Sequence, residues 1–103
     1  MMDDGTVLCE NPKPGKQPTR MPRWKYDVVR SAILEVLSST PQGMAYKSIV
    51  AAVASALDTD TRDRLGSLSW HTVVVKLDLE ARGLIERVPG TRPQLLRTTG
   101  RES

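Results

Sequence analysis

The chain has 103 residues, with 15 Lys and Arg against 12 Asp and Glu for a net charge of +3, and 39% hydrophobic residues. Those figures allow one globular domain and exclude a disordered or fibrous chain. No apolar run approaches the roughly 18 residues that span a bilayer, Met1-Met2-Asp3-Asp4 shows no secretory signal, and the single Cys9 permits no internal disulfide or multi-cysteine zinc site. A reducing, cytoplasmic setting is expected.

Residues 1–22 read as a Pro-rich basic arm, extended or partly disordered. Asn11 to Arg23 holds Pro12, Pro14, Gly15, Pro18 and Pro22, with Met21 the one strongly apolar residue. Each proline removes a backbone donor and restricts the residue before it, so no helix is expected there. Thr6-Val7-Leu8-Cys9 has strand composition but would need a partner from elsewhere. From Arg23 the spacing turns helical, with Val29, Ile33, Val36 and Leu37 on one side, until Ser38 to Gly43 stops it with turn chemistry. A second helix is expected from Tyr46 to Leu57 on Ile49, Val50, Val53, Ala54 and Leu57. Asp58 to Gly66 is polar and mixed in charge, which reads as a loop with room for one helical turn.

The third helix is expected from Leu68 to Arg82, with Ser67 or Ser69 as its cap. Trp70, Val73, Val74, Leu77 and Ala81 share one roughly 100°-wide stripe, while Val75 and Leu79 lie nearly opposite. Burial on both sides follows, with Trp70 read first as a core residue between the second and third helices. Gly83 ends the helix. Leu84–Val88 and Gln94–Thr98 then read as strands around the turn Pro89–Pro93, and Gly43-Met44-Ala45 supplies a short third strand. The expected fold is mainly α with a small β-hairpin: a winged helix-turn-helix of three helices plus wing over residues 23–99, followed by a tail at 100–103.

Two resemblances agree with that order. Leu79-Glu80, two residues, then Gly83-Leu84-Ile85 with basic Arg87 resembles the end of the recognition helix in bacterial winged-helix regulators. Glu10-Asn11-Pro12, Pro14-Gly15, Lys25-Tyr26, Trp70 and Val75-Lys76-Leu77-Asp78-Leu79-Glu80-Ala81-Arg82-Gly83 are similar to a bacterial family of small winged-helix-like proteins of unknown function. Members of that family tend to have two adjacent tryptophans where this chain has Trp70-His71, and a His where it has Lys13. The resemblance implies a fold and carries over no functional residue.

Charge placement points to nucleic acid. Lys13, Lys16, Arg20, Arg23 and Lys25 stand together with no acid among them, and Arg82, Arg87, Arg92, Arg97 and Arg101 are opposed only by Glu86 and Glu102. The stretch from Met44 to Ala81 is slightly acidic. The expected function is a dimeric, transcription-regulator-like DNA-binding module. Ser69, His71, Thr72 and Lys76 would enter the major groove, Arg20, Arg23, Arg87 and Arg97 would sit on phosphates, and Arg92 would reach a minor groove. Asp78 and Glu80 on the same helix oppose this, since both repel phosphate. The alternative is a protein-interaction or dimerisation module of the same fold, with Trp70 as an interface anchor. Catalysis is undersupplied: His71 has no second His or Cys near it in sequence, and Cys9 has no identified base. Asp58, Asp60 and Asp63 lack the glycine and terminal Glu of a calcium loop. No cofactor, metal, membrane partner or small-molecule ligand is indicated.

Overall fold

Val29, Ala32, Ile33 and Leu37 recur every three or four residues, and they form the buried side of the longest helix, α1 (Arg23–Ser38). The structure, a computed structural model, describes residues 5–100; the expectations for Met1–Asp4 and for the tail beyond Gly100 lie outside the described residues. Two strands precede α1, namely β1 (Thr6–Cys9) and β2 (Thr19–Pro22). After it come β3 (Met44–Ala45), α2 (Tyr46–Ala56), α3 (Thr59–Leu65), α4 (Leu68–Ala81), β4 (Ile85–Arg87) and β5 (Leu95–Thr98). The architecture is mixed α/β and helix-rich, with two small antiparallel sheets. One is the β1–β2 hairpin, and the other has the strand order β3-β5-β4. Among the described residues no helix is long and apolar enough to cross a membrane.

The core lies where α1, α2 and α4 meet the three-stranded sheet. Val29, Ile33 and Leu37 pack with Ile49 and Val53, Leu65, Val75 and Leu79, and with Leu84, Ile85 and Leu96. The turn into β3 depends on Gly43, whose φ is +103°. A Cβ there would stand 3.0 Å from Val88 Cγ2 and 3.1 Å from Leu95 Cβ, so both conformation and space require glycine.

Three expectations are corrected. The arm is an ordered hairpin, because its strand partner lies within the arm itself: Val7 pairs with Met21 and Cys9 with Thr19. Pro12, Pro14 and Pro18 fall in the connecting loop, where no ladder bond is lost, and Pro22 closes the ladder. An isolated hairpin is marginal in water. This one buries Cys9 and Met21 to 1% exposure each, and full burial of a methionine side chain contributes about 1.5–3 kcal/mol.

The second correction concerns Asp58 to Gly66, which holds the seven-residue helix α3. Asp58 caps it by accepting from the Thr61 N–H at 2.7 Å, with Asp60 in its first turn and Arg62 and Arg64 in its last. Only Leu65 of this helix is buried, so there was no apolar period to read.

The third is the orientation of α4. Its core side carries His71, Thr72, Val75, Asp78 and Leu79, while Trp70 is 44% exposed. Val73, Val74 and Leu77 are half-buried and Ala81 is exposed. Val75 and Leu79 are buried as expected, whereas of the stripe Trp70, Val73, Val74, Leu77 and Ala81 only Val74 packs against the core cluster, and Trp70 is not a core residue.

Candidate nucleic-acid interface

The structure separates the nine residues expected to meet DNA. His71 and Thr72 point inward on α4, with 7% and 0% exposure, so neither can reach a groove. The His71 ring nitrogen Nδ1 pairs with the Ser67 carbonyl at 2.5 Å, and Trp70 lies edge-on to the ring at 4.8 Å. Thr72 Oγ1 is buried with no hydrogen-bond partner. Lys76 and Arg87 both turn onto Glu80, at 2.6 and 2.9 Å, and Arg97 pairs with Glu86 at 2.7 Å. Ser69, Arg92, Arg20 and Arg23 are exposed. The outward side of α4 carries Trp70, Val73, Leu77 and Ala81, which have no side-chain donors apart from the indole N–H.

What holds the arm in place is Asp78, a fully buried carboxylate on α4. It accepts from the Tyr26 hydroxyl at 2.5 Å, the Glu10 N–H at 2.8 Å and Arg82 Nε at 2.8 Å. A second Arg82 nitrogen donates to the Leu8 carbonyl at 3.3 Å. The carboxylate is thereby paired and hydrogen-bonded, the condition under which a buried charge is tolerated. Burial, together with the bond to Asp78, pushes the Tyr26 hydroxyl up to about 12. Burial and the nearby Asp78 charge push the Cys9 thiol up to about 11. The bond to Asp78 raises Arg82 further. Cys9 is thus kept as an inert core thiol. Sequence reasoning named Asp78 for its charge, Arg82 within a basic set and Tyr26 within a family pattern, but nothing in it joined the three.

The arm continues across α4. Asp78 and Glu80 face opposite flanks, roughly 160° apart around the axis. Glu10 bonds to the first, while Pro12 and Lys13 share a cleft with Glu80 and Arg87 on the other side. Residues 10–13 thus carry the chain over the last turns of α4 and bring basic Lys13 into a cleft with Arg87 at the end of β4.

Folding also sorts the charges. Residues 13–30 hold Lys13, Lys16, Arg20, Arg23, Lys25 and Arg30 against Asp27 alone, and they occupy the hairpin loop, β2 and the first half of α1. Trp24 sits within this set at 38% exposure. The Arg64 guanidinium lies 5.0 Å from its ring centroid and Lys25 Nζ 5.7 Å, both within cation–π range. Lys25 also donates to the Leu65 carbonyl at 3.0 Å, tying this corner to the end of α3. The opposite pattern lines the groove between α1 and the α2–α3 corner, a cleft of about 440 Å³. Its lining includes Asp27, Glu35 and Asp58 and no Lys or Arg. Hydrogen bonds from Thr61 hold the Asp58 carboxyl below its usual value, so it stays charged. Among the described residues no group of three or more His, Cys, Asp or Glu side chains is placed to hold a metal ion.

The fold and this basic corner thus describe a small helix-rich α/β protein with an ordered N-terminal hairpin. The chain belongs to DUF6958, a family of unknown function, which matches residues 6–96. No curated protein and no solved structure matches it.

Proposed function

We propose that the chain is a winged-helix-like module that binds DNA through its arm hairpin and the start of α1, and not through the outward side of α4. The observation that supports this is the basic stretch over residues 13–30, six cations against one acid, with an exposed Trp24 flanked by Lys25 and Arg64. Phosphate neutralisation by Lys and Arg supplies affinity without sequence readout. An exposed indole adds a face on which an unpaired base stacks. Arg92, exposed in the β4–β5 turn, is the remaining wing contact. Such a module binds broadly and positions DNA for a partner that reads sequence.

Fluorescence anisotropy with labelled duplex and single-stranded oligonucleotides at 50 mM salt tests this reading. Micromolar binding is expected, with Trp24 emission quenched on the single strand. The substitutions Lys16→Ala and Arg20→Ala weaken both complexes whatever the sequence. No detectable binding with micromolar protein would retire the proposal.

A second reading has its own observation, the charge-free outward side of α4 with Trp70 44% exposed. A second copy of the chain suits it, since a self-complementary apolar face leaves no charge unmatched. Sedimentation would then give a mass above 11.4 kDa that rises with concentration, and Trp70→Ala would return it to the monomer.

A further inference from the structure

We propose that the groove between α1 and the α2–α3 corner receives the Lys13–Lys16 turn of a second copy of this chain. The groove is a cleft of about 440 Å³. Val28, Ala32 and Leu57 give it an apolar lining, and Asp27, Glu35 and Asp58 give it negative charge with no Lys or Arg among the lining residues. In a chain of net charge +3 this is a local reversal of sign. Asp27 also lines the adjoining cleft with Arg23 and Arg30, so the distinctive charge is that of Glu35 and Asp58. Both are exposed, and among the described residues neither forms an ion pair. Arg62, one turn beyond Asp58, acts on it electrostatically but does not line the groove.

The complementary charge is at the tip of the β1–β2 hairpin. Pro14 and Gly15 form a turn there, with Gly15 at φ +83°, the combination that a type II turn favours. Such a turn brings its first and fourth residues, Lys13 and Lys16, within about 7 Å of each other. Two ammoniums therefore project from one fixed tip. Both lysines are exposed, and a Cβ at Gly15 would meet nothing within 4 Å, so the tip stands clear of its own fold. Among the described residues neither lysine forms an ion pair. Within its own chain Lys13 lies in a cleft with Pro12, Glu80 and Arg87, which shares no residue with the groove. The tip that enters the groove is therefore a second copy's.

A turn that is already formed loses little backbone freedom on docking. The lysine stems lie along the apolar lining while their ammoniums reach Glu35 and Asp58. Tip and groove are different surfaces, so the contact is heterologous and builds rings or open chains of copies. It is made by exposed charges, which makes it weak and sensitive to salt. The association does not rest on the DNA-binding reading. One consequence does: DNA and the groove compete for Lys16.

Two variants of the full chain test the proposal. Lys13→Ala with Lys16→Ala discharges the tip. Glu35→Gln with Asp58→Asn discharges the groove, and Asn keeps the cap of α3. Sedimentation at 50 mM salt should show concentration-dependent association of the wild type. Each variant alone should associate about tenfold more weakly, as expected for the loss of two exposed ion pairs. Mixed together, the variants should form a one-to-one complex, because one keeps an intact groove and the other an intact tip. In ¹H–¹⁵N NMR of that mixture, the labelled tip variant should show shifts at Ser31, Glu35, Leu57 and Asp58. Trp70→Ala should leave the association unchanged. A wild type that stays monomeric, a mixture that recovers nothing, or an association lost in Trp70→Ala would overturn the proposal. Groove shifts caused by tetralysine but not by a second copy would assign the groove to another cationic partner and overturn it as well. The expected variant pattern in a chain that binds no DNA would leave the proposal standing and retire the DNA reading.

Discussion

Thr72 shows how a plausible groove residue becomes a core residue. Its hydroxyl is buried without a partner, and an unsatisfied buried hydroxyl costs about 1–3 kcal/mol. Thr72→Val keeps the shape and removes that cost, so it should stabilise the fold by about 1 kcal/mol in urea denaturation and leave DNA affinity unchanged. Lost affinity in a stably folded variant would return Thr72 to the interface. Asp78 has the opposite sign. Asp78→Ala leaves the Tyr26 hydroxyl and the Glu10 N–H without an acceptor and removes the ion pair with Arg82. Breaking a buried pair in this way costs about 3–5 kcal/mol, measurable in the same denaturation experiment. The two raised groups set an alkaline limit. Cys9 and Tyr26 bind their protons more tightly folded, near 11 and 12, than their ordinary values of 9.0 and 10.0. The stability they contribute is complete below pH 9 and is lost as pH rises through 9 to 12. Tyr26→Phe should flatten the upper part of that decline; an unchanged profile would contradict the assignment.

At the scale of elements, the hairpin is the test of whether the arm belongs to the fold. Met21 is buried to 1% exposure, and Met21→Ala should cost about 2–5 kcal/mol of unfolding free energy. An arm that merely trailed from the domain would give no change. The helices α1, α2 and α4, the β4–β5 pair and the short β3 were legible because each rests on a local signal: helical spacing, a glycine stop, or strands around a Pro-Gly turn. The hairpin was not, since Val7 and Met21 are separated by a proline-rich loop and neither shows the other in sequence. Part of α4 was misplaced for a related reason. Apolar spacing finds the buried Val75 and Leu79, but it also draws Trp70 into the core and leaves out His71 and Thr72, which are buried beside them with Asp78. Polar residues go inward there because Tyr26, Arg82 and the arm backbone meet Asp78, and Ser67 meets His71. Such partners become visible only after folding. The candidate site shares that limit: its cations were legible as a cluster, but the ion pairs that occupy Lys76, Arg87 and Arg97 were not.

Across the whole molecule a net charge of +3 resolves into a basic corner and an acidic groove on either side of α1. That polarity orients a polyanion before any contact is made. The apolar outward side of α4 lies apart from the basic corner, so the proposed DNA binding and the proposed self-association through α4 would use separate surfaces. The most direct measurement is the salt dependence of DNA affinity for the wild type, for Lys16→Ala with Arg20→Ala, and for Arg97→Ala. The wild type should lose affinity steeply between 50 and 200 mM salt. The double variant should flatten the log–log slope by about 2, near one unit for each lost phosphate contact, and Arg97→Ala should leave it unchanged. A slope that Arg97→Ala flattens and the double variant does not would place the DNA on the β4–β5 hairpin and contradict the account.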